Sequence, residues 1–315
     1  MSEQTYQVVD PHIHLFDLSK GEYAWLGQLE QTKRRLIYRD FGFSDIRLRE
    51  PFTLTKCVHI EAGFNNQHPQ KEIAHWENAH HVYLSTVQNN ENSFAEQTPL
   101  QFASIANADL FQAPDTFEYH SNSALKMGSC KGFRHIIDGQ IVALWENENA
   151  RINLRHLNKL ACIFELQVSV TTHQALDTLL EVITQHPHLH FVLNHAGFMP
   201  FSSISGQAFK WWCQVIESLS QSQQSRQSQQ SKNLSIKLSG FEMHKKEYET
   251  DELLPALDRI FSSFGQAQIM MASNFPLCLY RLSYQDYWQQ AFNLCQQLQV
   301  NKRALLGENA ARIYF

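Results

Sequence analysis

Two histidines one residue apart, His12 and His14, stand near the start of the chain in the run Asp10-Pro11-His12-Ile13-His14. In an extended segment, residues two apart point the same way, so both imidazoles aim at one place. There they can bind one metal ion or orient a substrate carbonyl; the alternative is a packed, hydrogen-bonded pair. Further along, His59-Ile60-Glu61-Ala62-Gly63 puts a carboxylate where an apolar run meets polar chain. Glu61 is open to three roles: metal ligand, general base or ion-pair partner. In Gly132-Phe133-Arg134-His135, Arg134 offers a fixed fork for a carboxylate or ring oxygen, or a structural salt bridge. Gln167 is a neutral group able to hydrogen-bond a polar substrate. His195 precedes two small residues, Ala196 and Gly197, that let backbone or ligand approach closely. Lys237 lies inside the apolar run Ile236-Lys237-Leu238 and needs water, a carboxylate or a ligand for its ammonium; it is read as holding an acidic substrate or an oxyanion. In Ser273-Asn274-Phe275-Pro276, Asn274 can orient a water or ligand but cannot take a proton at neutral pH.

The elements that must bring these residues together are visible as short runs, rich in Val, Ile and Phe, each ending in a polar residue. They are Tyr6 to Asp10, Lys56 to Glu61, Phe102 to Asn107, Lys131 to Ile137, Cys162 to Val168, His190 to His195, Leu234 to Ser239 and Gln268 to Ser273. Runs apolar on both faces suit parallel strands buried on both sides. Between them, Gln70 to His80, Gln174 to Gln185, Phe209 to Leu219, Leu253 to Phe264 and Tyr284 to Leu298 are long enough for helices. In the second of these, Ala175, Leu176, Leu179, Leu180, Val182 and Ile183 recur at helical spacing. Eight strands alternating with helices predict an α/β chain closing as a single (β/α)8 TIM-like barrel over residues 1–315, with functional side chains at the carboxyl ends of the strands. A doubly wound open sheet is the alternative. No Gly-rich turn follows the first strand, so no nucleotide cofactor is expected. Ser220 to Ser231 is Ser and Gln apart from Arg226 and reads as a solvated loop insertion at about 220–232, on the face away from the site.

Composition narrows the function class. With 43% hydrophobic residues, 12% aromatic residues and 315 positions, the chain can bury a large core. Its net charge of −5, without a long basic run, gives no footprint for nucleic acid or an anionic membrane, so a small-molecule substrate is the expected partner. No apolar run approaches a membrane span, and Met1 to Asp10 lacks the features of a signal peptide, which predicts a cytoplasmic protein. Six well-separated cysteines without a C-x-x-C pair read as reduced, buried thiols. Oligomeric state is left open.

Taken together, these motifs resemble the amidohydrolase superfamily, and within it the lactonase-like branch of predicted metal-dependent TIM-barrel hydrolases. That branch includes sugar lactonases and pyrone dicarboxylate lactonase. The resemblance runs over nearly the whole chain and adds Glu72-Ile73-Ala74-His75-Trp76 and the closing Gly307-Glu308-Asn309-Ala310-Ala311-Arg312-Ile313-Tyr314 to the segments above. It implies that His12 and His14 are the strand-one pair, that His195 supplies a further ligand or a carbonyl contact, and that Arg134 and Lys237 lie near the substrate. Members usually carry an aspartate at the end of strand eight as base, and Asn274 stands at or beside that place.

The implied reaction is the opening of a sugar-acid or carboxylated lactone by an activated water, with or without one divalent ion, zinc or manganese, on His12, His14 and His195. An ion there would polarise the carbonyl and acidify water. Without one, histidines and Lys237 would hold the oxyanion. With Asn274 in place of the acid, Glu61 or a neutral histidine is the expected base. Two rivals are a decarboxylase or hydratase of an organic acid on the same barrel, and a binding protein that has lost its chemistry.

Overall fold

The computed structural model describes residues 5–89, 99–200, 206–224, 232–245 and 247–315. Eight strands form one sheet in chain order, each parallel to the next. They are β1 (Tyr6–Ile13), β2 (Phe52–Ile60), β3 (Gln101–Asn107), β4 (Cys130–Asp138), β5 (Ile163–Val168), β6 (His190–Leu193), β7 (Leu234–Leu238) and β8 (Ile269–Met271). The helices around them are α1 (Gln31–Ile37), α2 (Pro69–Asn89), α3 (Pro114–Leu125), α4 (Ile141–Glu146), α5 (Glu148–Leu160), α6 (His173–Gln185), α7 (Gln207–Gln224), α8 (Phe241–His244), α9 (Leu254–Ser263), α10 (Tyr284–Gln297) and α11 (Asn309–Tyr314). The (β/α)8 barrel expected from the sequence is therefore the architecture observed.

Strand alternation divides the core in two. Side chains facing out, such as Phe133, Phe164, Leu166, Phe191, Leu193, Ile236 and Leu238, join the large layer under the helices. Side chains facing in, namely Val9, Val58, Ile60, Ala103, Ile105, Ile163, Val192 and Met270, fill the lumen. Ala310 and Tyr314 of α11 close the amino end of the barrel like a floor. The helices bury one stripe each. In α6 that stripe is Ala175, Leu176, Leu179, Val182 and Ile183, and Thr172 caps its first turn by accepting from the Ala175 amide.

Closure between β8 and β1 depends on side chains more than on a ladder. One bridge joins Ile13 to Phe275, and the His14 amide donates to the Phe275 carbonyl at 2.6 Å. The rest is Asp10, fully buried, whose carboxylate accepts from the Ser273 hydroxyl at 2.5 Å, the Ser273 amide at 3.1 Å, the Tyr284 hydroxyl at 3.0 Å and the His12 amide at 3.1 Å. Burial nevertheless pushes its pKa up to about 6 against those four donors.

One expectation is corrected. Helix α7 does not stop near Leu219 but continues to Gln224, so the Ser/Gln stretch begins as helix and not as loop. The reason is local pairing: the buried Ser220 hydroxyl donates to the Ser263 carbonyl at 2.5 Å, and the buried Gln223 accepts from the Asn233 amide at 3.0 Å. Positions 225–231 lie outside the described residues.

Candidate active site

The carboxyl ends of the strands bring together most of the residues singled out in the sequence. β1 carries His12 to the lumen, and His14 follows at its rim. The His12 and His14 rings meet edge to face with centroids 4.9 Å apart, and their Nε2 atoms are 3.2 Å apart. His195 comes from the far side. After β6 the backbone turns left-handed at His195 (φ 52°) and Ala196 (φ 52°), which brings the ring to 4.9 Å from that of His12. Its Nδ1 is 3.0 Å from the Ser239 hydroxyl. Glycine is required at position 240, where φ is +74° and a Cβ would lie 2.6 Å from His195 Nδ1. His14 and His195 keep 6% and 5% of their surface exposed, so they form the outer edge of a cluster whose inner member, His12, is fully buried.

The charges near this cluster are compensated within the chain. The Lys237 ammonium, fully buried, lies 2.5 and 2.7 Å from the two Glu165 oxygens and 3.3 Å from His12 Nδ1. Tyr314 reaches up from the floor and donates to Glu165 Oε1 at 2.6 Å. Burial lowers the Lys237 pKa to about 8, with Glu165 opposing the fall, so the amine stays mostly protonated at neutral pH. Burial also holds His12 and His14 well below the usual imidazole range, helped at His12 by Lys237 and at His14 by Arg134. Both are neutral at pH 7.

Arg134 donates from Nε to Glu61 Oε1 at 2.7 Å and from Nη2 to the Glu61 carbonyl at 2.7 Å, with Nη2 also 2.6 Å from Glu61 Oε1. Its Nη1 donates to the half-buried Gln167 at 3.1 Å. A guanidinium has five N–H groups, so one, on Nη1, is left over among these contacts. Of the roles open to Glu61, the geometry realises the ion pair, in which Arg134 holds Oε1. Asn274, at φ 57°, donates from Nδ2 to Glu242 Oε1 at 3.0 Å. Among the described residues its Oδ1 is buried with no partner, as are both side-chain polar atoms of Asn194. Burial raises the Glu242 pKa to about 7, opposed by Asn274 and Arg281.

Sequence reasoning missed Asp10, Glu165, Glu242, Asn194 and Tyr314. Asp10 and Tyr314 stood in the quoted motifs without a role, and Glu165 carried a signal of its own: Ile163-Phe164-Glu165-Leu166 is an acid within an apolar strand, the counterpart of the lysine at 237. Each buried charge needs the other.

Among the described residues the three histidines are not gathered into a divalent-ion site. The two Nε2 atoms of His12 and His14 converge, but among the described residues no three histidine, cysteine or carboxylate side chains come together as ligands. The acids close by are committed, Glu61 to Arg134, Glu165 to Lys237 and Asp10 to Ser273 and Tyr284. Two neutral imidazoles beside two cations are a poor donor set for a dication.

A barrel with an imidazole cluster at its carboxyl rim is an enzyme-type scaffold. Residues 9–315 match the amidohydrolase family, and the chain belongs to it. A relative from Sinorhizobium fredii, the uncharacterized protein y4mH, is 24% identical over 98% of both chains. Among solved structures, an amidohydrolase from Burkholderia multivorans with bound zinc superposes with a TM-score of 0.69 at 19% identity, covering 98% of this chain and 99% of that one. A probable 2-pyrone-4,6-dicarboxylic acid hydrolase from Acinetobacter baumannii, with citric acid bound, gives a TM-score of 0.58 at 14% identity over 98% of each chain. At such identities the structural likeness speaks for the fold. No described helix is long and apolar enough to cross a membrane.

Proposed function

We propose that this amidohydrolase opens a lactone, sugar-derived or carboxylated, by attack of a water on the ring carbonyl. The observation that carries the reading is the convergence of His12, His14 and His195, with ring centroids 4.9 Å apart on both sides of His12, next to an arginine with one N–H to spare. The pyrone dicarboxylic acid hydrolase among the similar folds supports it.

In this mechanism the water sits at the exposed edges of His14 and His195. His195, with Nδ1–H donating to Ser239, takes the water's proton on Nε2. The water oxygen bonds to the carbonyl carbon, and the carbonyl electron pair moves to its oxygen, which accepts the remaining Arg134 N–H. One such donor typically contributes about 3 to 4 kcal/mol to transition-state stabilisation. Collapse of the tetrahedral species breaks the ring C–O bond, and the leaving oxygen recovers the proton from His195. To Asn274 Oδ1 and the Asn194 amide, buried without partners among the described residues, we assign the second hydrogen of the water or a substrate hydroxyl.

A panel of sugar-acid lactones and pyrone dicarboxylate, followed by acid release, tests the proposal. Turnover of at least one member, and its loss by about 100-fold or more in His195→Ala, is the expected result. Release of carbon dioxide from aromatic acids without any lactone turnover would replace this reading with a decarboxylase.

A further inference from the structure

A continuous line of hydrogen bonds crosses the lumen from the last helix to the mouth. It runs from the Tyr314 hydroxyl to Glu165 (2.6 Å), Glu165 to Lys237 Nζ (2.5 and 2.7 Å), Nζ to His12 Nδ1 (3.3 Å), His12 Nε2 to His14 Nε2 (3.2 Å) and His14 Nδ1 to the Ile60 carbonyl (2.9 Å). Its two ends leave no freedom in the middle. A carbonyl only accepts, so His14 Nδ1 carries a hydrogen; with the ring neutral, His14 Nε2 has the lone pair. The atom facing it, His12 Nε2, must then donate. That leaves the lone pair of His12 on Nδ1, where the Lys237 ammonium, a group with donors only, points at it.

We propose that Lys237, Glu165 and Tyr314 are positioning residues that fix the tautomers of His12 and His14, with Lys237 acting through His12 and not by contact with substrate. The inference rests on the reading of the histidine cluster as the active site, and the Lys237 side chain is consistent with it, being fully buried and committed on both sides. Glu165 sets where the ammonium lies. Tyr314 in turn holds Glu165 from below, while its ring packs with the lumen floor and 5.2 Å from Nζ. The penultimate residue of the chain thereby reaches the chemistry at the opposite end of the barrel.

The test is the ring nitrogens of His12 and His14 in 15N-labelled protein, read by long-range proton–nitrogen correlation and assigned through His12→Gln and His14→Gln. In the parent, His12 should show a protonated Nε2 and a bare Nδ1, and His14 the reverse. The double variant Lys237→Met with Glu165→Leu, which leaves no buried charge alone, should turn His12 into a mixture of tautomers. Turnover of a lactone found active should fall by about tenfold or more in kcat with KM little changed, since supporting groups of this kind are typically worth 10- to 100-fold. Tyr314→Phe, which keeps the ring and the floor packing, should lower kcat by a smaller factor in the same direction and keeps the idea testable where the double variant fails to fold. A protonated Nδ1 on His12 in the parent, or a double variant with unchanged ring signals, overturns the assignment. Absence of any lactone turnover with the ring signals as described would sink the proposed reaction and leave the tautomer assignment intact.

Discussion

Glu242 sits beneath the rim with a neutral amide, Asn274 Nδ2, on one oxygen, and burial raises its pKa from 4.5 to about 7. An acid whose folded pKa lies above its unfolded value is held protonated by the fold. The stability that proton confers is complete below the unfolded value and is lost as pH climbs through the folded one. Glu242→Gln keeps an acceptor for Asn274 but never ionises. Its unfolding free energy should therefore pull ahead of the parent's as pH rises from about 5 to about 8, by an amount on the order of 3 kcal/mol, read as a diverging melting temperature. Parallel melting curves across that window would show that Glu242 ionises without penalty. The same scale explains Arg134. A lysine there could not reproduce a fork that grips Glu61 through Nε and Nη2 while leaving Nη1 for Gln167 and a substrate. Arg134→Lys should lower kcat/KM by about 100-fold through the lost oxyanion donor, measured on any lactone that the parent hydrolyses.

At the scale of elements, strand ends aim the side chains and glycines make room for them. The β4 and β5 backbones approach so closely at Gly132 that a Cβ would lie 2.0 Å from the Ile163 carbonyl. Alanine there must part the two strands carrying Arg134 and Glu165. Gly240 serves His195 in the same way, and Gly240→Ala should cost about 1 to 2 kcal/mol for the left-handed backbone and shift His195 off its place. A displacement of that kind lowers activity by up to about 100-fold, and a variant with parental kcat would show that His195 Nδ1 can move without consequence. The helix-to-strand run from Ser220 taught the opposite lesson. Low-complexity composition suggested solvated chain, yet Ser220 and Gln223 are buried and bonded, because α7 needs its last turn against α9 and the start of β7. Composition reports average polarity and is silent on which single polar groups find partners.

For the whole molecule, closure of the ring is the property everything else depends on, and it passes through one carboxylate. Asp10→Ala would strand the Ser273 and Tyr284 hydroxyls and two amides, each unsatisfied group costing about 1 to 3 kcal/mol. A fall of at least about 3 kcal/mol in unfolding free energy is expected in urea. A midpoint within error of the parent's would mean that the Ile13 to Phe275 bridge alone holds the seam. The committed carboxylates also set an expectation for metals. Purified protein should bind zinc or manganese at well below one ion per chain, and chelation should leave any lactone turnover unchanged. Stoichiometric metal by elemental analysis, with activity lost on chelation and restored by the ion, would show that the histidine cluster recruits a ligand that the present arrangement does not supply.

Much of this architecture was already written along the chain. Eight runs apolar on both faces suit strands covered on both sides, so their number and order were legible in the residue types, and so were the polar groups within or just beyond them: His12, His14, Glu61, Arg134, His195, Lys237 and Asn274. What residue types and alternation leave undetermined is the neighbour across the ring. Lys237 and Glu165 are 72 positions apart, and Asp10 and Ser273 are 263 apart. Whether a buried charge meets substrate, water or a partner depends on strand register and on the few tenths of an ångström that separate a hydrogen bond from a gap. That is why Lys237, expected to touch substrate, is paired with Glu165, and why, of the three roles open to Glu61, the ion pair with Arg134 is the one formed. Local chemistry determined which groups had to be satisfied, and only the closed barrel decided by whom.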